Sequence, residues 1–236
     1  MTKYLKTKLN MSIFFIINLI TYESVRAQVI QVEGGLSTGH FIDGFNATDG
    51  HPIVFLGADA SFNNGAFGGA ECYESSSGQG GALPRGCHFY AGFFQPLSDD
   101  QAVSFELRHK NYLVQSDFFW QYFEASADWS VNKRLNLGVT VTDDWLDSGT
   151  TAYTVRGDYA KPLNEFLTAY ASASVMKFSG ADTVDFAEHF EVGLKYQKNR
   201  WTSELSFLSA DTGLINWIDL DVNKNQLRLT LSYRFY

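Results

Sequence analysis

Five histidines, two cysteines and a few adjacent carboxylates are the residues of this chain that could do chemistry. His40, His51, His88, His109 and His189 are the candidate general bases. A lipid hydrolase would need one of them beside a nucleophilic serine, with a polar partner orienting the ring. None stands in a recognisable Ser/His motif, and a triad assembled across strands would leave no local signature. Asp99-Asp100 and Asp143-Asp144 are the closest approach to acid/base pairs, but both fall at the edges of connections, where solvated turn residues belong. Cys72 and Cys87 bracket a glycine- and serine-rich stretch. Two thiols and the nearby His88 are too few ligands for a closed metal site, whereas an even cysteine count in an exported chain favours a disulfide. Closing a loop of about 15 residues stabilises by about 3 kcal/mol in the chain-entropy model. No phosphate-binding glycine loop is present. The expectation is a protein with no catalytic site, no metal and no cofactor.

The elements that carry these residues read as strands. Gln226 to Tyr236, QLRLTLSYRFY, places Leu227, Leu229, Leu231, Tyr233 and Phe235 on one face and Gln226, Arg228, Thr230, Ser232 and Arg234 on the other. A closing strand with aromatic residues Tyr233, Phe235 and Tyr236 is the form that outer-membrane barrels present to the barrel-assembly machinery. At the other end Lys3, Lys6 and Lys8 precede an apolar run from Met11 to Ile20 and a small-x-small site at Val25-Arg26-Ala27. This is the layout of a signal peptide over residues 1–27, the run being too short for a helical span of about 20 residues. The expected mature domain is then residues 28–236. The leader holds four cations (Lys3, Lys6, Lys8, Arg26) and one acid (Glu23), so its removal takes the net charge from −8 to −11. Such a balance excludes a basic nucleic-acid surface, and no nucleic-acid partner is expected.

The remainder divides into twelve candidate strands: Gln28 to Gly39, Pro52 to Phe62, Ala66 to Glu74, Cys87 to Gln95, Ala102 to Lys110, Asp117 to Trp129, Arg134 to Asp143, Thr151 to Ala160, Phe166 to Met176, Phe186 to Gln197, Arg200 to Leu208 and Gln226 to Tyr236. Their connections alternate in kind. Asn63-Asn64-Gly65, Pro96 to Gln101, Ser130 to Lys133, Lys161 to Glu165 and Lys198-Asn199 are short. His40 to His51, Ser75 to Gly86, Asn111 to Ser116, Asp144 to Thr150, Lys177 to Asp185 and Ser209 to Asn225 are mostly longer and polar. Tight turns at one end, long loops at the other and an even strand number predict an all-β, twelve-stranded antiparallel transmembrane barrel of the outer-membrane type, in contact with outer-membrane lipids.

A charge facing lipid near the midplane costs about 2–4 kcal/mol, so the faces that carry charge should turn inward. The pore-lining candidates on this criterion are Glu106, Arg108, Glu124, Arg134, Arg156, Glu191, Lys195, Glu204 and Arg228, with Glu33, Asp59, Asp128, Asp158 and Arg234 on the same face. Asp117 to Trp129 is ambiguous, because Phe118, Phe119, Trp120, Tyr122 and Phe123 put aromatics on both faces.

The segment TGHFIDGFNATDGHP, Thr38 to Pro52, followed by IVFLGADASFNNGAFGGA, resembles the opening of the TorF-type porins, also called the Gcw_chp family. Gly44, Asp49-Gly50-His51-Pro52 and Gly65 to Gly69 carry the likeness, and FFWQYFEASADWS and DDWLDSGTTAYTVRGDYAKPL look like its middle region. Thr38, His40 and Asp43 depart from the pattern, which has Ser, Tyr and Arg there. The resemblance implies a pore-forming outer-membrane protein and transfers no functional residue. The expected function is passive diffusion of small polar solutes or ions. Two alternatives stay open: a closed barrel whose acidic loops bind a partner or cations, and a lipid hydrolase working at the lumen or rim.

Overall fold

The computed structural model of the chain describes residues 27–39, 41, 42, 45, 46, 48, 51–75, 85–115, 118–145, 149–179, 186–211 and 225–235. Residues 1–26 of the expected signal peptide, His40 and Tyr236 lie outside them. Fourteen strands are described: β1 (Ala27–Ser37), β2 (Phe41–Ile42), β3 (Phe45–Asn46), β4 (Ile53–Phe62), β5 (Ala66–Ser75), β6 (Arg85–Pro96), β7 (Gln101–Gln115), β8 (Phe118–Val131), β9 (Leu135–Thr142), β10 (Thr151–Pro162), β11 (Leu167–Ser179), β12 (Phe186–Lys198), β13 (Trp201–Asp211) and β14 (Asn225–Arg234). Strands β2 and β3 pair only with each other. The other twelve close into an antiparallel barrel, with β1 hydrogen-bonded to β4 on one side and to β14 on the other.

Residues directly opposite in an antiparallel pair share a face, so the registers carry one parity round the barrel. Leu36 opposes Leu231 and Val54, Leu205 opposes Leu229 and Leu194, and Val155 opposes Val139 and Val175. These side chains are exposed on the outer wall, Leu227 and Val155 each by 64%. An apolar belt this continuous inverts the usual inside-out rule and needs lipid to cover it.

The turns follow local chemistry. Asn132 and Lys133 both take positive φ, 52° and 53°, in the three-residue turn Asn132 to Arg134 between β8 and β9, where the Arg134 amide donates to the Val131 carbonyl. Between β10 and β11, the Asn164 side-chain oxygen accepts from the amides of Phe166 and Leu167 at 2.8 and 2.9 Å. All such tight turns sit at one end, here the turn end; the longer connections occupy the loop end.

Most expected boundaries move by one to three residues, and two of the differences bear on the site. Strand β7 runs to Gln115 and β8 begins at Phe118, so the connection expected over Asn111 to Ser116 is mostly strand. Outward positions Asn111 and Gln121 oppose each other there. Their polarity breaks the hydropathy alternation while the backbone ladder continues. A spanning strand needs about 9–11 residues; β7 has 15 and β8 has 14, so both continue past the apolar belt. Arg134, expected in a strand, lies in the β8–β9 turn with its amide bonded to the Val131 carbonyl.

Inside, large side chains lie over glycines of the neighbouring strand. The Tyr170 ring occupies the space that a Cβ on Gly193 would take, and the Phe67 ring does the same at Gly92. Towards the loop end the interior is aromatic. Tyr112 and Tyr122 are fully buried with ring centroids 5.9 Å apart, His88 packs edge-on to Tyr112, and Trp145 meets Phe178 edge-on at 4.9 Å.

Candidate functional site

The charged side chains gather on the inner wall because the registers bring inward positions of three or four strands together. Arg228 of β14 is shared between two carboxylates, its Nη2 lying 2.6 Å from Glu191 of β12 and 3.1 Å from Glu204 of β13. The Tyr170 hydroxyl of β11 lies 2.8 and 2.7 Å from the same two carboxylates, its one proton serving one of them at a time. A second arginine repeats the arrangement: Arg156 of β10 is 2.6 Å from Asp128 of β8 and 3.1 Å from Asp158 of its own strand. Asn136 donates to Asp128 and Ser172 to Asp158. Each cluster therefore contains two carboxylates to one guanidinium and carries a net negative charge, with neutral donors supplying the remaining hydrogen bonds.

Simpler pairs complete the wall. Lys110 bonds Glu124 at 2.9 Å over the Tyr122 ring, Arg108 bonds Glu106 at 2.8 Å over Tyr90, and Arg234 faces Glu33 at 3.9 Å. Asp59, Glu71 and Lys195 make no ion pair among the described residues.

Two cavities lie within the barrel and meet at Asp158, Ser172, Glu191 and Arg228, the side chains that line both. The one nearer the loop end, of about 470 Å³, is lined by six carboxylates (Glu71, Glu106, Glu124, Asp128, Asp158, Glu191) against four cations (Arg108, Lys110, Arg156, Arg228), with His88 and His189. The one nearer the turn end, of about 510 Å³, adds Lys133, Arg134, Lys195 and Glu204 to the shared layer. Both fall in the range of small-molecule sites, about 300–1,000 Å³.

Of the residues singled out from sequence, Glu106, Arg108, Glu124, Arg156, Glu191, Lys195, Glu204 and Arg228 line one or both cavities, and Arg134 reaches the turn-end cavity from its turn. Glu191 pairs with Arg228, not with Lys195 two turns of the pleat away. Glu71, Lys110 and Tyr170 belong to the site and were not singled out. Lys110 has the parity of Glu106 and Arg108, which could have placed it. Glu71 sits in a strand whose outward positions Gly68, Ala70 and Cys72 are small, so no apolar face marks it. Tyr170 shares a face with Thr168 and Ser172 and joins the cluster only through the β11–β12–β13 register. The ambiguous segment resolves with Tyr122 inward beside Lys110 and Phe123 outward, stacked on His109 at 4.6 Å.

Cys72 and Cys87 are disulfide-bonded and directly opposite each other in the β5–β6 ladder, with Cα atoms 4.1 Å apart. The bridge faces outward, below an ion pair between Glu74 and Arg85.

Barrels similar in fold to this one are seen among solved proteins. KdgM porin, in a structure with disordered oligogalacturonate, matches over 88% of this chain and 100% of its own with a TM-score of 0.55 at 12% identity. NanC porin matches over 87% of this chain and 99% of its own with a TM-score of 0.58 at 15% identity. The fold is that of outer-membrane porins. No protein-family model and no curated protein matches the sequence. At these identities the likeness extends to the barrel and not to the residues that line it.

Proposed function

We propose that this barrel is a narrow outer-membrane porin through which small polar solutes or ions diffuse. It would be exported by its N-terminal signal peptide, inserted by the barrel-assembly machinery, and set with the turn end towards the periplasm. The likeness of Thr38 to Pro52 to the TorF-type porins, and the porin fold shared with KdgM and NanC, support this reading. The observation that carries it is the charged inner wall around two stacked cavities. A barrel with a purely structural role has no use for so many inward-facing charges, since apolar filling is often as stable or more so.

A closed barrel is the second reading, favoured by the buried Tyr112, Tyr122 and Trp145 at the loop end. Purified protein in a planar bilayer separates the two: discrete single-channel steps are expected of the porin, and a silent bilayer of the closed barrel. In the porin, Glu71→Lys shifts ion selectivity towards anions, because inward substitutions act on the pore field while outward ones act on membrane stability. A reversal potential that does not move while thermal stability falls would decide for the plugged barrel.

A further inference from the structure

The two cavities differ in the sign of their charge. The loop-end cavity has two more carboxylates than cations, and Glu71 in it, though in the field of Arg108, makes no ion pair among the described residues. Beyond the shared layer towards the turn end, Lys133, Arg134 and Lys195 line the second cavity, and the one carboxylate it adds, Glu204, is already bound to Arg228. An ion passing through the two cavities therefore meets a negative lining and then a positive one, separated by the Arg228 cluster; Asp59 and the Glu33–Arg234 pair stand on the inner wall outside both. A narrow passage with low-dielectric walls focuses such fields, and salt screens them.

Resting on the porin reading, we propose that the lumen is charged in opposite senses at its two ends and is suited to solutes that carry both an amine and a carboxylate and have no net charge. A singly charged solute of either sign is favoured in one compartment and repelled in the other. A zwitterion can place its ammonium towards Glu71 and its carboxylate towards Lys195, so that neither compartment repels it outright. A neutral sugar gains nothing from either field.

Glutamine, glutamate and lysine are close in size and differ in net charge, so they probe the field with little change in shape. Swelling of proteoliposomes is expected to be fastest with glutamine and slower with both glutamate and lysine. Lys195→Glu makes the turn-end compartment less positive and should raise lysine uptake relative to glutamate. Equal rates for all three, or fastest entry of a singly charged solute, would overturn the two-signed lumen while leaving a channel. No swelling with any solute, and none with the ions of potassium chloride, would overturn the channel reading and this inference with it.

Discussion

Arg228 and Arg156 each answer two carboxylates, and this sharing makes the clusters unequal in their tolerance of change. Removing one glutamate from the Arg228 cluster leaves a neutral pair. Removing the arginine leaves Glu191 and Glu204 facing each other across Tyr170 without the guanidinium that bonds both. Breaking a buried ion pair from one side costs about 3–5 kcal/mol, and this cluster, wetted by the cavities, belongs at the low end. Arg228→Met should therefore destabilise by about 3 kcal/mol, and Tyr170→Phe, which removes one hydrogen bond to a charged group, by about 1.5–3 kcal/mol. Glu204→Gln should cost less than either. Urea unfolding of the three variants in lipid vesicles gives the order, and a Glu204→Gln variant weaker than Arg228→Met would contradict the sharing.

At the scale of strands, the parity of β14 is legible residue by residue: every position assigned outward from Leu227 to Phe235 is outward in the barrel. Leu229, midway along it and opposite Leu205, is accordingly a lipid-facing site, where an arginine costs about 2–4 kcal/mol at the midplane. Leu229→Arg should lower unfolding stability by that amount in vesicles, and a change within error would place the residue away from lipid. Strand β5 could not be read in this way, because AFGGAECYES offers small side chains on its outer face and the alternation that reveals a strand is a contrast in size and polarity. Strand β7 was cut short for a related reason: Asn111 is outward but polar, and backbone pairing does not depend on the side chain's hydropathy. Glu191, Glu204 and Arg228 are legible singly as inward charges, but their meeting at Tyr170 is not, since it exists only when the four strands β11 to β14 hold one register, and a one-residue slip in any of them would send its members to the opposite face. The Cys72–Cys87 bridge guards against that error in β5, where glycine and alanine specify the register least, by tying it to β6, whose outer face carries Phe89 and Phe93.

For the molecule as a whole, the opposite charges of its two compartments have an electrical consequence. Acidic walls fill with mobile cations and basic walls with mobile anions, so the two cavities in series form a junction between carriers of opposite sign. When the loop side is held positive, cations enter through the acidic compartment and anions through the basic one; both are driven towards the Arg228 layer, and current rises. With the polarity reversed both are drawn away from it, the layer is depleted, and current falls. Single channels should therefore rectify, as a diode does. The effect should be strong in 0.1 M salt, where charges act over about 10 Å, and nearly absent in 1 M salt, where they act over about 3 Å. A current–voltage curve symmetric at both concentrations would show that the two compartments do not act as a junction.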